Sequence, residues 1–146
     1  MEVRIKRLEK EDAREAAALE ELSFGKEGWS EQDFLDTLKL DYAYYLCACS
    51  REELIGLAGA RLIAGEAYIS NVSVHPGLRR EGIGLRLMEE LMELLLANGA
   101  TAYTLEVRSL NRAATGLYEK LGFVREGIRR NFYTSPEDDA IIMWKR

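Results

Sequence analysis

The sequence has few of the residue types that mark disulfide-rich, metal-binding or multidomain proteins. Two cysteines, Cys47 and Cys49, and one histidine are too few for a disulfide framework or a His/Cys metal cluster. We therefore expect both cysteines to be buried free thiols and expect no metal. The 146 residues contain only two prolines, no repeats and no low-complexity tract, so no linker is evident. Residues 1–146 are expected to form a single domain.

Long apolar runs and an excess of positive charge are also absent. The most apolar stretch, residues 54–60, ends at Arg61 and is too short to cross a bilayer. Residues 1–7 carry too many charges for a signal peptide. Twenty basic and 25 acidic residues give a formal net charge of −5, which argues against a chain that coats nucleic acid or an anionic membrane. We expect a cytoplasmic protein without direct nucleic-acid or membrane partners.

Hydrophobic periodicity predicts an α/β fold. Alternation of apolar and polar residues predicts strands at 3–7, 44–50, 54–63, 66–74, 101–108, from 123, and at 139–144. Apolar residues three and four apart predict helices at 12–22, from 30, at 82–97 and at 112–121. Ser30 and Asp33 have the spacing of a capping box, which begins the second helix. The expected architecture is a mixed central sheet of about seven strands flanked by about four helices.

The passage 72–85 carries the clearest sign of ligand binding. A valine-rich strand runs into a basic turn, and the turn runs directly into a long helix. The first N–H groups of a helix are unpaired and the helix dipole is positive there. Gly82 and Gly84 lack the Cβ atoms that would keep a phosphate from those N–H groups, and Arg79 and Arg80 add positive charge. This pattern predicts a pyrophosphate site; the alternative is a tight turn whose glycines only permit close packing.

A second passage, residues 105–123, makes the function more specific. The sequence Arg79-x-x-Gly82-x-Gly84, followed by Asn111…Leu117-Tyr118…Gly122-Phe123, resembles the GNAT family of acetyl-CoA-dependent N-acetyltransferases. The strings at 105–114, 129–133 and 139–143 are similar to the branch of that family that acetylates the N-terminal alanine of a ribosomal protein, the RimI type. The resemblance covers nearly the whole chain, most securely residues 66–144. It implies the GNAT fold and acetyl-CoA as co-substrate.

The resemblance also assigns residues to acetyl-CoA. Val72, Ser73 and Val74 would offer backbone groups to the pantetheine arm, as though the cofactor added a strand. Asn111 would form a hydrogen bond with the pantetheine. Seven residues of the turn and of the helix start would hold the pyrophosphate through backbone N–H groups: Arg79, Arg80, Glu81, Gly82, Ile83, Gly84 and Leu85.

Two further residues are expected to carry the chemistry. The resemblance makes Glu106 the proton acceptor and places Tyr118 near the thioester sulfur. An α-amine has a pKa of about 8, against about 10.4 for lysine, so a modest base suffices, and a tyrosine can protonate the leaving thiolate. Each residue has an alternative role: Glu106 could pair with Arg108 on the same strand face, and Tyr118 could belong to the core. His75 is expected to be a loop residue and not the base.

The acceptor half of the chain is marked mainly by aromatic residues. Trp29, in a loop with two glycines, and Tyr133 are candidate walls of a peptide groove; packing onto the core is the alternative for Trp29. Family members often have Pro-Trp-Ser where this chain has Gly28-Trp29-Ser30, a departure within the loop that would contact the acceptor. The acidic run 137–139 is expected to be a solvated turn, or a contact for a basic protein tail.

We expect transfer of acetyl from acetyl-CoA to the N-terminal α-amine of a protein, a ribosomal protein beginning with alanine. One alternative is a GNAT enzyme for lysine or a small amine, because members share the cofactor half and differ in the acceptor half. Another is a non-catalytic acyl-CoA-binding module, against which the presence of both Glu106 and Tyr118 argues.

Overall fold

The structure, a computed structural model, describes residues 1–134 and 136–146. The strands of this part are β1 (Arg4–Arg7), β2 (Ala43–Ser50), β3 (Glu53–Ile63), β4 (Glu66–Val74), β5 (Ala102–Arg108), β6 (Val124–Thr134) and β7 (Glu137–Lys145). Its α-helices are α1 (Ala13–Phe24), α2 (Glu31–Leu38), α3 (Ile83–Ala97) and α4 (Arg112–Lys120). The order of the elements confirms the prediction, and the α/β fold class with it.

All of these strands join one sheet in the order β1-β2-β3-β4-β5-β7-β6. The β4–β5 pair is parallel and the other neighbouring pairs are antiparallel, so the sheet is mixed as predicted. The parallel pair is possible because the chain between β4 and β5 is long enough to cross over through α3. The last two strands form a hairpin in which β7, not β6, lies against β5.

Helices cover both faces of the sheet, each over its own core. On one face, apolar residues of α3 recur at three- and four-residue steps and are buried: Ile83, Leu87, Met88, Leu91, Met92 and Leu95. Tyr118 of α4 joins this core. On the other face, α1 and α2 pack over β2 and β3, where Cys47 and Cys49 are buried free thiols, as expected. The sheet, with the ends of β4 and β5, lies between these two layers of helices.

Local signals place the first two helices correctly, with one difference in length. The Ser30 hydroxyl accepts a hydrogen bond from the Asp33 N–H (3.1 Å), and the Asp33 carboxylate accepts one from the Ser30 N–H (2.9 Å), which confirms the capping box. Helix α1 continues two residues beyond the predicted end at residue 22 and stops at Gly25, whose φ is +59°. Glycine adopts this backbone conformation more easily than other residues.

The acidic run 137–139 is part of β7, so the expectation of a solvated turn is wrong. Asp138 accepts hydrogen bonds from the Ser109 hydroxyl (2.5 Å) and from the Leu110 N–H (3.2 Å), and Asp139 accepts one from the Asn131 N–H (2.8 Å). The hydrogen bond from Ser109 holds the pKa of Asp138 below its usual range. These carboxylates therefore anchor the β5–α4 connection and the β6–β7 hairpin.

The parallel strands β4 and β5 separate partway along their length. Their register pairs run from Glu66–Ala102 to Ile69–Leu105, whereas β4 continues to Val74 and β5 to Arg108. Thr104 still pairs with Tyr68, and the last pair is Ile69–Leu105, so the opening begins after Leu105. Ser70 lies at the opening as the extra residue of a β-bulge, because β3 pairs Gly59 with Asn71 and the next residue, Ala60, with Ile69.

Candidate active site

The opening between β4 and β5 presents unpaired backbone. One edge of β4 pairs with β3 as far as Val74, while the other edge, from residue 70 onward, faces the opening. The side chains of Val72 and Val74 pack against the α3 core, and the Ser73 hydroxyl points to the opposite face, where it binds Glu20. Because these side chains are engaged, the three residues can serve a ligand only through backbone N–H and C=O groups, which is the part predicted for them.

The turn before α3 is held open by two residues with left-handed backbone conformations. Arg80 has a φ of +71°, and Gly82, which caps α3, has a φ of +79°. Arg79, Arg80 and Glu81 are exposed, so two cations stand beside the helix N-terminus. The side chain of Ile83 is buried in the core, which leaves only its backbone N–H for a ligand. This arrangement can bind a phosphate group.

Gly84, in the first turn of α3, lies beneath this turn. A Cβ at this position would lie 3.5 Å from Leu117 and 3.6 Å from Val74, which is ordinary contact. Packing alone therefore does not require glycine here. Leu85 is half-buried beside it. A role for Gly84 in binding a ligand at the helix N-terminus stays a prediction.

Glu106 lies on β5 immediately after the strands part. Its side chain is 12% exposed. Oε1 accepts a hydrogen bond from the Tyr68 hydroxyl (2.7 Å), and Oε2 lies 2.9 Å from Nε of Arg129 in an ion pair. Oε2 is buried, and no donor in the described part of the chain aims a hydrogen at it with hydrogen-bond geometry. That oxygen keeps a lone pair with which it can accept a proton.

The ion pair between Glu106 and Arg108 that was considered from the sequence is replaced by two others. Glu106 pairs with Arg129 of β6, and Arg108 pairs with Glu27 of the α1–α2 loop. The Arg108 guanidinium also lies over the ring of Tyr133, 4.2 Å from its centroid. The charge of Glu106 is thus balanced by Arg129 of the β6–β7 hairpin.

Tyr118 lies on α4, and its side chain belongs to the core on the α3 face of the sheet. It is 7% exposed and packs edge-on against Phe123, with ring centroids 6.0 Å apart. Burial and the nearby Tyr133 raise the pKa of Tyr118, so its hydroxyl keeps its proton at neutral pH. Tyr118 is therefore a core residue, as the alternative held, and a role for it as proton donor stays a prediction.

Tyr133, one of the two predicted groove walls, lies beneath the Arg108 guanidinium and near Glu106. Burial and the charge of Glu106 raise the pKa of Tyr133 to about 12. The other predicted wall, Trp29, packs onto the core: its ring lies 5.3 Å from Phe34 and 5.9 Å from Tyr45, centroid to centroid. The core packing considered for Trp29 is present, and a role for it in a groove stays a prediction.

Asn111 caps helix α4, and His75 caps the short turn that follows β4. Oδ1 of Asn111 accepts a hydrogen bond from the Ala114 N–H (3.1 Å) at the start of α4. The amide N–H groups of Asn111 would then be the part of its side chain that binds a pantetheine carbonyl. Nδ1 of His75 accepts a hydrogen bond from the Gly77 N–H (3.1 Å), which fits the loop role expected of it. Among the described residues, no group of three or more His, Cys, Asp or Glu could hold a metal.

Comparison with known proteins identifies the family to which this site belongs. Residues 6–123 match the acetyltransferase (GNAT) family. The chain belongs to the GNAT family. Acetyltransferases of this family use acetyl-CoA, in agreement with the predicted phosphate turn and open strand.

Relatives of this GNAT chain include enzymes named for protein N-termini. The N-alpha-acetyltransferase RimI of Mycobacterium tuberculosis is 36% identical over 146 residues, covering 97% of this chain and 90% of the relative. The ribosomal protein bS18-alanine N-acetyltransferase of Escherichia coli is 37% identical over 117 residues, covering 79% and 78%. The crystal structure of the ribosomal-protein-S18-alanine N-acetyltransferase from Escherichia coli superposes with a TM-score of 0.88 at 33% identity, covering 98% of this chain and 92% of that one.

Several residues that contact Glu106 or its neighbour Arg108 were missed by sequence reasoning. Tyr68 was assigned only as a strand residue, Arg129 only as part of a family-like string, and Glu27 only as a loop residue. The alternation of β4 places Tyr68 on a definite face, but only the parallel register with β5 brings that face beside Glu106. Arg129 contacts Glu106 from the β6–β7 hairpin, and Glu27 contacts Arg108 from the α1–α2 loop. No local sequence signal predicts either contact.

Of the described helices, none is long and apolar enough to span a membrane.

Proposed function

We propose that the chain transfers acetyl from acetyl-CoA to the N-terminal α-amine of a protein beginning with alanine. The observation that carries the proposal is the buried carboxylate of Glu106, held by Tyr68 and Arg129, at the point where β4 and β5 separate. A base in this position suits an amine that comes from the α1–α2 side and attacks a thioester lying in the opening. The acceptor follows from the relatives, whose names specify the alanine terminus of ribosomal protein bS18.

The cofactor half of the chain fits acetyl-CoA. The open edge of β4 at Val72, Ser73 and Val74 offers backbone groups to the amides of the pantetheine arm. The N-terminus of α3, with Gly82 in a left-handed conformation, offers N–H groups to the pyrophosphate. Asn111 would donate to the pantetheine. Acetyl-CoA is consumed as a co-substrate, and no metal is part of the proposal.

Glu106 would take the proton of the acceptor. An α-amine with a pKa of about 8 is partly neutral near pH 7.5, so the base removes a proton mainly as the N–C bond forms. Tyr68 donates to Oε1 and holds the carboxylate, and Oε2, in an ion pair with Arg129, would accept the proton of the incoming amine. Arg129 balances the charge from a side chain that is 59% exposed.

Tyr118 would return a proton to the leaving group. When the C–S bond breaks, the thiolate of coenzyme A needs a proton, and its parent pKa is near 8.5 by analogy with cysteine. A buried tyrosine that is protonated at neutral pH can donate that proton and recover it from solvent after the products leave. The balance of the reaction is one N–C bond formed, one C–S bond broken and one proton moved from nitrogen to sulfur.

The acceptor would enter between the α1–α2 loop and the β6–β7 hairpin. Glu27 spans this entrance, because it pairs with Arg108 and accepts a hydrogen bond from the Thr134 N–H (3.3 Å). Trp29 and Tyr133 stand on its two sides as the proposed walls. A ribosomal protein as acceptor places the reaction in the cytoplasm, and residues 1–146 are proposed to act as one domain.

Release of free CoA thiol from acetyl-CoA tests the proposal. The acceptors are a peptide beginning with alanine, the same peptide with a blocked N-terminus and an internal lysine, a small polyamine, and no acceptor. We expect turnover only with the free alanine terminus. Turnover with the blocked lysine peptide or with the polyamine would assign a different acceptor class. Tight acetyl-CoA binding without turnover for any amine would make the chain a binding module.

A further inference from the structure

Glu20 is a buried carboxylate that the proposed reaction does not use. It lies on α1 and is only 2% exposed, although the other face of the helix is open to solvent. Burial raises the pKa of Glu20, against hydrogen bonds that lower it. A buried carboxylate costs stability unless its oxygens are well bonded, and an apolar side chain would fill the space at less cost. Its bonds therefore indicate what it does.

The two oxygens of Glu20 bind two different parts of the site. Oε1 accepts a hydrogen bond from the backbone N–H of Trp29 (3.1 Å), in the loop that leads into α2. Oε2 accepts one from the Ser73 hydroxyl (2.6 Å), in the open half of β4. One side chain thus joins the loop proposed to face the acceptor to the strand proposed to bind the pantetheine arm.

Close packing holds the same loop against Glu20. A Cβ placed on Gly28 would lie 2.7 Å from the backbone oxygen of Glu20, closer than side-chain carbons approach in proteins. The chain therefore reaches Trp29 only because residue 28 is glycine. The φ of Gly28, −71°, is open to other residues, so the restriction comes from this contact and not from backbone conformation.

A second route joins the loop to β4 beside the first. The Trp29 ring lies 5.9 Å from the ring of Tyr45, and the Tyr45 hydroxyl binds Asn71 Oδ1 (2.6 Å) and the Ser70 hydroxyl (2.8 Å). Both routes end on residues 70–73 of β4, where the strand has separated from β5. These contacts therefore fix the Trp29 loop to the open half of β4 as well as to the helices on either side of the loop.

We propose that Glu20 is a positioning residue of the acceptor site, whose carboxylate fixes the Trp29 loop against β4. The proposal rests on the proposed function, in which this loop faces the acceptor and β4 the thioester. Since an N-terminal amine must reach the thioester carbonyl at short range, an unanchored loop would bind the peptide less well and in fewer reactive orientations. Glu20 itself touches neither substrate and accepts no proton from the acceptor.

Two substitutions at Glu20 separate its hydrogen bonds from its bulk. Glu20→Met fills a similar volume and accepts neither bond. Glu20→Gln keeps both, because its carbonyl oxygen accepts from the Trp29 N–H and its amide donates to the Ser73 hydroxyl. Gly28→Ala displaces the loop by collision with the Glu20 backbone and leaves the carboxylate in place. It is the variant to use if Glu20→Met does not fold.

Trp29 provides a readout that is independent of activity. The chain has two tryptophans, so in a Trp144→Phe background the emission comes from Trp29 alone. We expect Glu20→Met and Gly28→Ala to shift this emission to the red and to expose the ring to a soluble quencher. Glu20→Gln should leave the emission as it is in the parent. An unchanged emission in Glu20→Met would show that Glu20 does not hold the loop, whatever the activity.

Kinetics completes the test. For Glu20→Met we expect the KM for the alanine peptide to rise about tenfold, as for loss of a hydrogen bond to a charged group, and kcat to fall. The affinity for acetyl-CoA should change little, and Glu20→Gln should restore both constants. A displaced loop with unchanged constants, or equal losses in Glu20→Met and Glu20→Gln, would overturn the proposal. Absence of turnover in the parent protein would instead overturn the proposed function, and the emission would still report on the anchor.

Discussion

The Tyr68 hydroxyl donates a 2.7 Å hydrogen bond to Oε1 of Glu106, across the point where β4 and β5 separate. Tyr68 pairs in register with Thr104, so Glu106 is the next residue of β5 on the same face. The contact depends on the parallel pairing, which brings the two residues together from positions 38 apart in the chain. The other carboxylate oxygen, Oε2, lies 2.9 Å from Nε of Arg129.

Tyr68→Phe should lower kcat about tenfold, because a hydrogen bond to a charged group contributes about 1.5 kcal/mol and 1.4 kcal/mol is about tenfold in rate. The KM for acetyl-CoA should stay nearly constant. Tyr103→Phe is the matched control, since it also removes a tyrosine hydroxyl, but one that donates to the Met92 carbonyl on the opposite face. Equal effects of the two substitutions on kcat would remove Tyr68 from the site.

Glu106→Gln should lower kcat by about 10²- to 10⁴-fold, the usual contribution of a positioned base, with little change in acetyl-CoA affinity. The amide retains the bond from Tyr68 but cannot accept a proton. Steady-state release of CoA thiol and calorimetric titration with acetyl-CoA measure the two quantities. Glu126→Gln removes a carboxylate from the neighbouring hairpin and serves as the control. Parallel loss of turnover and affinity in Glu106→Gln would make Glu106 a structural residue.

Tyr118→Phe should lower kcat about tenfold or more while the fold persists, because the ring still packs against Phe123 and only the proton donor is lost. Thermal unfolding and acetyl-CoA affinity should stay close to those of the parent. The pKa of Tyr118 is raised by burial, so in the parent its titration should not reduce turnover below pH 10. Unchanged turnover in Tyr118→Phe would leave the residue with only its core role.

Gly84→Val should weaken acetyl-CoA binding about tenfold, as expected for loss of one or two charge-assisted hydrogen bonds at the helix N-terminus. Gly82→Val should weaken it too, with added backbone strain from the φ of +79°. S-acetyl-pantetheine, which lacks the pyrophosphate, is the control ligand, and its binding should change little. Retention of acetyl-CoA affinity in both variants would make the phosphate assignment wrong.

Alkaline pH should remove the stabilising contribution of Tyr45. Burial raises the pKa of Tyr45 to about 12, and it is 1% exposed. Above pH 10 the unfolded chain loses this proton first, so the free energy of unfolding falls as the pH rises from 10 to 12. At pH 11 the loss is about 1.4 kcal/mol. Urea unfolding of the parent and of Tyr45→Phe should show a stability difference that shrinks by about this amount between pH 9 and pH 11; a constant difference would contradict it.

The cofactor half of the site was predictable because its signals are local. The valine strand, the basic turn and the glycines of α3 follow one another in the chain, and periodicity marks the strand and helix on either side. The element order, the mixed sheet and the Ser30 capping box were predictable for the same reason. Glu106, Tyr118 and the residues assigned to acetyl-CoA stay predictions about function, and the structure gives each of them a position and neighbours.

What the sequence by itself determined is the family, the order of elements and the cofactor turn, since each depends on residues close together in the chain. Tertiary structure alone decided the surroundings of Glu106 and the anchor of the Trp29 loop. Glu20 and Ser73 are 53 positions apart, and Glu27 and Arg108 are 81 apart. Their contacts depend on sheet order, on register and on the layer of helices over each face, and no local pattern encodes these.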